Sequence, residues 1–115
     1  MSGGAYWPDA GEIVWTQFDP ALGREQAGRR PALVVSPALF SEQTGLVIVG
    51  PITSRGRPFP TSVVLPGGRA VSGEILLNQL RSIDILARPV RFSGMRVGPE
   101  TAAAVRERLE LIVTI

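Results

Sequence analysis

Cysteine, histidine and lysine are absent from this 115-residue chain. Without cysteine there is no disulfide and no thiolate nucleophile, and without cysteine or histidine there is no zinc site of the usual sulfur and imidazole kind. The missing imidazole also removes a Ser-His-Asp triad and any two-histidine scheme of proton transfer. Because lysine is missing, all 12 basic residues are arginine. A guanidinium grips phosphate through paired hydrogen bonds and stacks on planar rings, so this usage favours polyanion chemistry. Biased genomic base composition would produce the same usage, and a net charge of +2 does not by itself mark a nucleic-acid partner. No apolar run approaches the ~20 residues of a membrane span, and the first ten residues have neither the basic nor the apolar region of a secretion signal. The expectation is a soluble, cytoplasmic protein.

What is present suits one ordered domain over residues 1–115: 44% of residues are hydrophobic and 19% charged. A chain this long buries roughly 65% of its unfolded surface, enough for one core. Residues 1–10 hold glycines and a proline without periodicity, and are expected to form a loosely ordered arm from which Tyr6 and Trp7 can still pack inward. Glu12 to Phe18 alternates as a strand, with Ile13 and Trp15 on one face and Val14 and Thr16 on the other. Ala32 to Val35 and Leu46 to Val49, the latter running on to Thr53, are continuous apolar runs of the buried-strand kind. Pro37 to Gln43 is expected to make one helical turn, with Leu39 and Phe40 capping the core.

Further strands are expected at Ser62 to Leu65, over Val71 to Leu77 and Leu80 to Ile83 with a bend at Asn78-Gln79, and at Ala87 to Phe92. Gly98-Pro99-Glu100 then opens a helix, with proline at the first helical position and Ala102, Val105, Leu109 and Ile112 forming one apolar stripe. Six or seven mostly antiparallel strands and a C-terminal helix fit any small all-β or α+β barrel.

Charge is concentrated in Gly23-Arg24-Glu25-Gln26-Ala27-Gly28-Arg29-Arg30-Pro31, a glycine-punctuated stretch that leads into the strand at Ala32. It is expected as a loop that holds a carboxylate, an amide and guanidinium groups at a strand mouth, as a polyanion-processing site requires. A solvated surface connection is the plain alternative for the same residues.

Four blocks of the chain taken in order resemble the MazF/PemK family of toxin endoribonucleases from bacterial toxin-antitoxin modules. They are Gly11-Glu12-Ile13-Val14-Trp15 with Phe18-Asp19-Pro20, then Glu25-Gln26-Ala27-Gly28 with Arg30-Pro31, then Pro51-Ile52-Thr53-Ser54, and last Ile75 to Asp84. The resemblance covers roughly residues 11 to 113 and is far more specific than any one short motif. It implies an SH3-like small barrel, and a metal-independent, sequence-specific endoribonuclease that cuts single-stranded RNA, leaves 2',3'-cyclic phosphate and 5'-hydroxyl ends, and needs no cofactor. It implies two partners as well, a cognate antitoxin and a second copy of the chain. A non-catalytic toxin of the same fold that poisons a protein such as DNA gyrase is the alternative, which the pairing of the Glu25 to Pro31 signature with Thr53 disfavours.

By the same resemblance Glu25, Arg30 and Thr53 are the catalytic residues. Since a guanidinium stays protonated in proteins, Arg30 suits charge stabilisation and Glu25 suits proton acceptance. Candidates for holding RNA are Gln26, Arg29, Ser54, Arg55, Arg57, Gln79 and Arg81 through amide and phosphate contacts, and Phe18 through stacking.

Overall fold

Short apolar runs closed by glycine and proline become strands throughout. In the computed structural model, which describes residues 5–18, 29–54 and 59–115, the order is β1 (Glu12–Gln17), β2 (Arg29–Val34), α1 (Ala38–Thr44), β3 (Leu46–Thr53), β4 (Ser62–Val64), β5 (Glu74–Leu76), β6 (Arg81–Asp84), β7 (Val90–Arg96) and α2 (Pro99–Ile112). A 3-10 turn at Leu77–Gln79 makes the bend expected at Asn78-Gln79. Every strand pairing is antiparallel, and the sheet runs β4-β5-β3-β2-β1-β7, with β6 also joined to β3. Among the described strands no ladder joins β4 to β7, so this mainly β, barrel-like sheet stays open.

The sheet is packed on both sides, which is why β2 and β3 read as unbroken apolar runs instead of alternations. Ile13, Leu33, Ile52, Ile75, Leu77 and Met95 form one core, closed by Val105 of α2. Val14, Ala32, Val34, Val47, Val49 and Ile83 form the other. Each fully buried branched side chain contributes ~1.5–3 kcal/mol relative to exposure. α2 begins at Pro99 as expected and rests on β4 and the 3-10 turn.

Four expectations change in detail. Arg29 and Arg30 are the first two residues of β2, not loop residues, because β1 extends far enough to pair with both. α1 is about two turns long, and its inward residue is Ser41, while Leu39 is 59% exposed. Positions two apart point to nearly opposite sides of a helix, so burying one turns the other outward. The last strand occupies Val90–Arg96 instead of Ala87 to Phe92, since Asp84 folds the chain back first: its carboxylate accepts from the Leu86 N–H at 2.9 Å and its carbonyl from the Arg88 N–H at 3.0 Å. On α2, Ile112 leaves the apolar stripe and is partly exposed, and Thr101 is buried.

Residues 5–10 make no helix or strand but are anchored. Pro8 is buried, and the Tyr6 ring stacks on Phe92 at 5.9 Å. The Tyr6 hydroxyl donates to the buried Glu12 carboxylate at 2.6 Å, and Arg96 reaches the other Glu12 oxygen at 3.0 Å. Burial, and then the hydrogen bond to Glu12, push the Tyr6 phenol well above its ordinary value.

Tyr6 is the only tyrosine, and with lysine and cysteine absent no other side chain titrates between about pH 9 and 12. The unfolded chain loses the phenolic proton near pH ~10 and the folded chain only above that, so stability is intact below pH ~10 and falls as pH rises beyond it. Denaturant melts from pH 8 to 12 should show this decline, and Tyr6→Phe should flatten it; an equal decline in that variant would assign it to another group.

Gly73 sits at φ 127°, and a Cβ there would overlap the Thr53 carbonyl across the β3–β5 ladder. Gly73→Ala should therefore cost ~1–3 kcal/mol in a urea melt. An unchanged midpoint would mean that β5 yields freely.

Candidate active site

The end of the sheet where β1 and β3 finish and β2, β5 and β7 begin gathers most of the described polar candidates. Side-chain alternation sorts them onto two faces. On β2, Arg30 shares a face with Ala32 and Val34. On β3 the same face carries Val49, Pro51 and Thr53, because Val34 pairs with Val49 and Ala32 with Pro51. Continuing that register by two residues, past the last ladder pair, brings Arg30 into line with Thr53. Arg30 is exposed and makes no ion pair or hydrogen bond among the described residues, so its guanidinium is open to a ligand.

Thr53 is half-buried and is held from its other side by β5, where it pairs with Glu74. The Glu74 carboxylate is buried, and it accepts from the Phe59 N–H at 3.0 Å and from the Ser62 hydroxyl. These bonds fasten the chain beyond residue 58 back against β5, the strand that pairs with Thr53. Ser54 follows Thr53 and is exposed.

Arg81 opens β6 opposite Val49 and so belongs to the Arg30 face. Its guanidinium carbon stands 5.4 Å from the centre of the Phe18 ring, a cation–π distance. Phe18 is 3% exposed and is part of the second core. Its ring is therefore no open stacking platform for a base; it supports Arg81. The stacking expected of Phe18 fails because the alternation that points Val14 inward does the same for Phe18. Gln79 is exposed at the end of the 3-10 turn, two residues before Arg81. Glu25, Gln26, Arg55 and Arg57 lie outside the described residues.

Arg29 pairs with Gln17 and projects from the opposite face to Arg30. Arg88, which the sequence reading passed over, donates to the carbonyl oxygens of both Gln17 and Phe18 and so pins the end of β1. No local motif announces it, because its partners are backbone carbonyls some seventy positions earlier. Among the described residues no three of His, Cys, Asp and Glu come together as a set of metal ligands, and no helix is long and apolar enough to cross a membrane.

Comparison with known proteins gives a consistent result. The family model for the PemK-like, MazF-like toxin of type II toxin-antitoxin systems matches residues 9–113. The endoribonuclease toxin MazF of Escherichia coli K12 is 36% identical over 108 residues, covering 94% of this chain and 96% of that protein. A crystal structure of MazF from Deinococcus radiodurans superposes with a TM-score of 0.81 at 42% identity, covering 94% of this chain and 97% of the other. A MazE-MazF structure from the same organism superposes with a TM-score of 0.79 at 38% identity, covering 96% and 100%. With nearly its whole length matched at this level, the chain belongs to the PemK-like, MazF-like toxin family of type II toxin-antitoxin systems.

Proposed function

We propose that this chain is the endoribonuclease toxin of a toxin-antitoxin pair, cutting single-stranded RNA at a preferred sequence without a metal ion and leaving 2',3'-cyclic phosphate and 5'-hydroxyl ends. The observation that carries the reading is the alignment of Arg30 with Thr53 on one face and at one end of the sheet, with the Arg30 guanidinium unpaired among the described residues. Kinship with proteins named as endoribonuclease toxins supports the reaction class.

In the proposed reaction Glu25 accepts the proton of a 2'-hydroxyl, and the freed oxygen attacks the neighbouring phosphorus. The new O2'–P bond closes the cyclic phosphate as the bond to the 5'-oxygen breaks, and that oxygen takes a proton from water to leave as a hydroxyl. Arg30 neutralises the charge that builds on the phosphoryl oxygens, and the Thr53 hydroxyl holds one of those oxygens in place. Arg81, braced by Phe18, and Gln79 bind nucleotides beyond the cut, Ser54 binds beside Thr53, and Gln26, Arg55 and Arg57 add contacts to the strand.

The cognate antitoxin blocks the same arginine-bearing surface, and two copies of the chain form the working unit; the apolar side chains exposed at Leu111, Val113 and Ile115 support self-association. Full activity from a monomer, seen by light scattering at assay concentration, would contradict the dimer.

Arg30→Ala and Thr53→Ala should each slow single-turnover cleavage of a long RNA by ~10² or more in the presence of chelator, with the fold intact by circular dichroism. Near-normal cleavage would remove that residue from the site. Products bearing a 5'-phosphate would contradict the cyclisation chemistry.

A further inference from the structure

On the face of the sheet that Arg30 does not share, β1 presents Trp15 and Gln17 side by side. Its two neighbours each add an arginine to that face. Arg29 of β2 pairs with Gln17, and Arg91 of β7 pairs with Trp15. Together with Thr16 and Pro89 these residues line a cavity of about 250 Å³, open to solvent. Trp15 is half-buried and rests on the first core, so its ring is held in place while one side faces the cavity.

Neither arginine is neutralised among the described residues. Glu12 is taken by Arg96, Glu107 by Arg108, and Glu74 by Ser62 and the Phe59 N–H. Two unpaired guanidinium groups flanking an indole, over a space of this size, match a phosphate and a base of a single strand: the cations take the phosphate oxygens and the ring takes the face of any base.

We infer that Trp15, Arg29 and Arg91 form a nucleotide subsite for RNA flanking the cut, reached over the rim of the sheet from the Arg30 face. The inference rests on the endoribonuclease reading and adds a direction to it. Arg29 and Arg30 are neighbours whose side chains leave β2 on opposite faces, so a strand held at Arg30 is received by Arg29 as it crosses the rim. Arg91 and Trp15 then hold it two residues further along β1. Stacking on Trp15 tolerates any base, so the subsite adds affinity and length preference, not a sequence rule.

The chain has two tryptophans, and Trp7→Phe leaves Trp15 as the only one, read by exciting beyond the absorption of Tyr6. In that background, a long single-stranded oligomer made uncleavable by 2'-deoxy substitution should change Trp15 emission on binding. Adding Arg91→Ala should weaken its affinity about tenfold and flatten the plot of log affinity against log salt by about 0.7, the value for one phosphate contact on a single strand. An oligomer trimmed to the nucleotides around the mapped cut should bind both forms alike. Trp15 emission that ignores bound RNA would overturn the subsite, as would an Arg91→Ala affinity equal to that of the parent on the long strand, or equally weakened on the trimmed one. A change in Trp15 emission produced only by an acidic peptide and never by RNA would also overturn it, in favour of a protein partner. Cleavage of a long RNA by the unmodified chain is scored separately: failure there would sink the endoribonuclease reading, whereas the emission and salt readings on a mixed-sequence strand would still decide the subsite.

Discussion

The hydrogen-bonding of β3 is the constraint on which the rest of the structure depends. Its eight residues pair with β2 on one side, and with β6 and then β5 on the other. One strand thus fixes where Arg30 stands through β2, where Arg81 stands through β6, and how Thr53 is clamped through β5. The close approach of Gly73 to the Thr53 carbonyl belongs to the same constraint, because a side chain at that position would push β5 away. A slip of one residue in the β2–β3 register would send Arg30 and Thr53 to opposite faces while keeping every backbone bond possible. Burial of Ala32, Val34 and Val49 in one core and of Leu33 and Ile52 in the other makes that slip costly. The alignment of Arg30 with Thr53 is in this sense a product of core packing.

Charge follows a complementary logic. A chain with net charge +2 is nearly balanced, yet its described acidic groups are largely spent on structure: Glu12 ties the N-terminal residues to β7 through Tyr6 and Arg96, Glu74 fastens the segment after β3, and Asp84 closes a turn. Arg29, Arg30 and Arg91 are left without partners among the described residues at one end of the sheet. Among the described residues a local excess of positive charge therefore arises without a basic composition, at the end where the two aligned candidate groups stand.

Much of the fold was legible because both β2 and β3 are buried on two faces, so their apolar runs are unbroken, and because Gly98-Pro99-Glu100 marks a helix start on its own. Less legible was whatever depends on a distant partner. Arg29 and Arg30 look like loop residues, since two exposed arginines after a glycine carry no strand pattern; only pairing with Gln17 and Thr16 makes them part of a sheet. Leu39 looked like core because apolar character says nothing about which side of a two-turn helix faces inward. β7 begins later than its pattern suggested, because the Asp84 turn consumes Ala87 and Arg88, and a register shift opposite Ile13 and Val14 together with Gly94 at φ 86° breaks the alternation. The proposed roles of Arg30 and Thr53 come from likeness to a family, whereas the division of Arg29 and Arg30 between two faces needed the register.

The alignment of Arg30 with Thr53 is tested most directly by a double-mutant cycle on single-turnover RNA cleavage, using Arg30→Ala, Thr53→Ala and the double variant. If both groups act on the same phosphate, the second substitution should cost far less in the variant that already lacks the first, so the double variant is little slower than the slower single variant. Fully additive losses would mean that the two residues act independently, and the shared face would then be incidental.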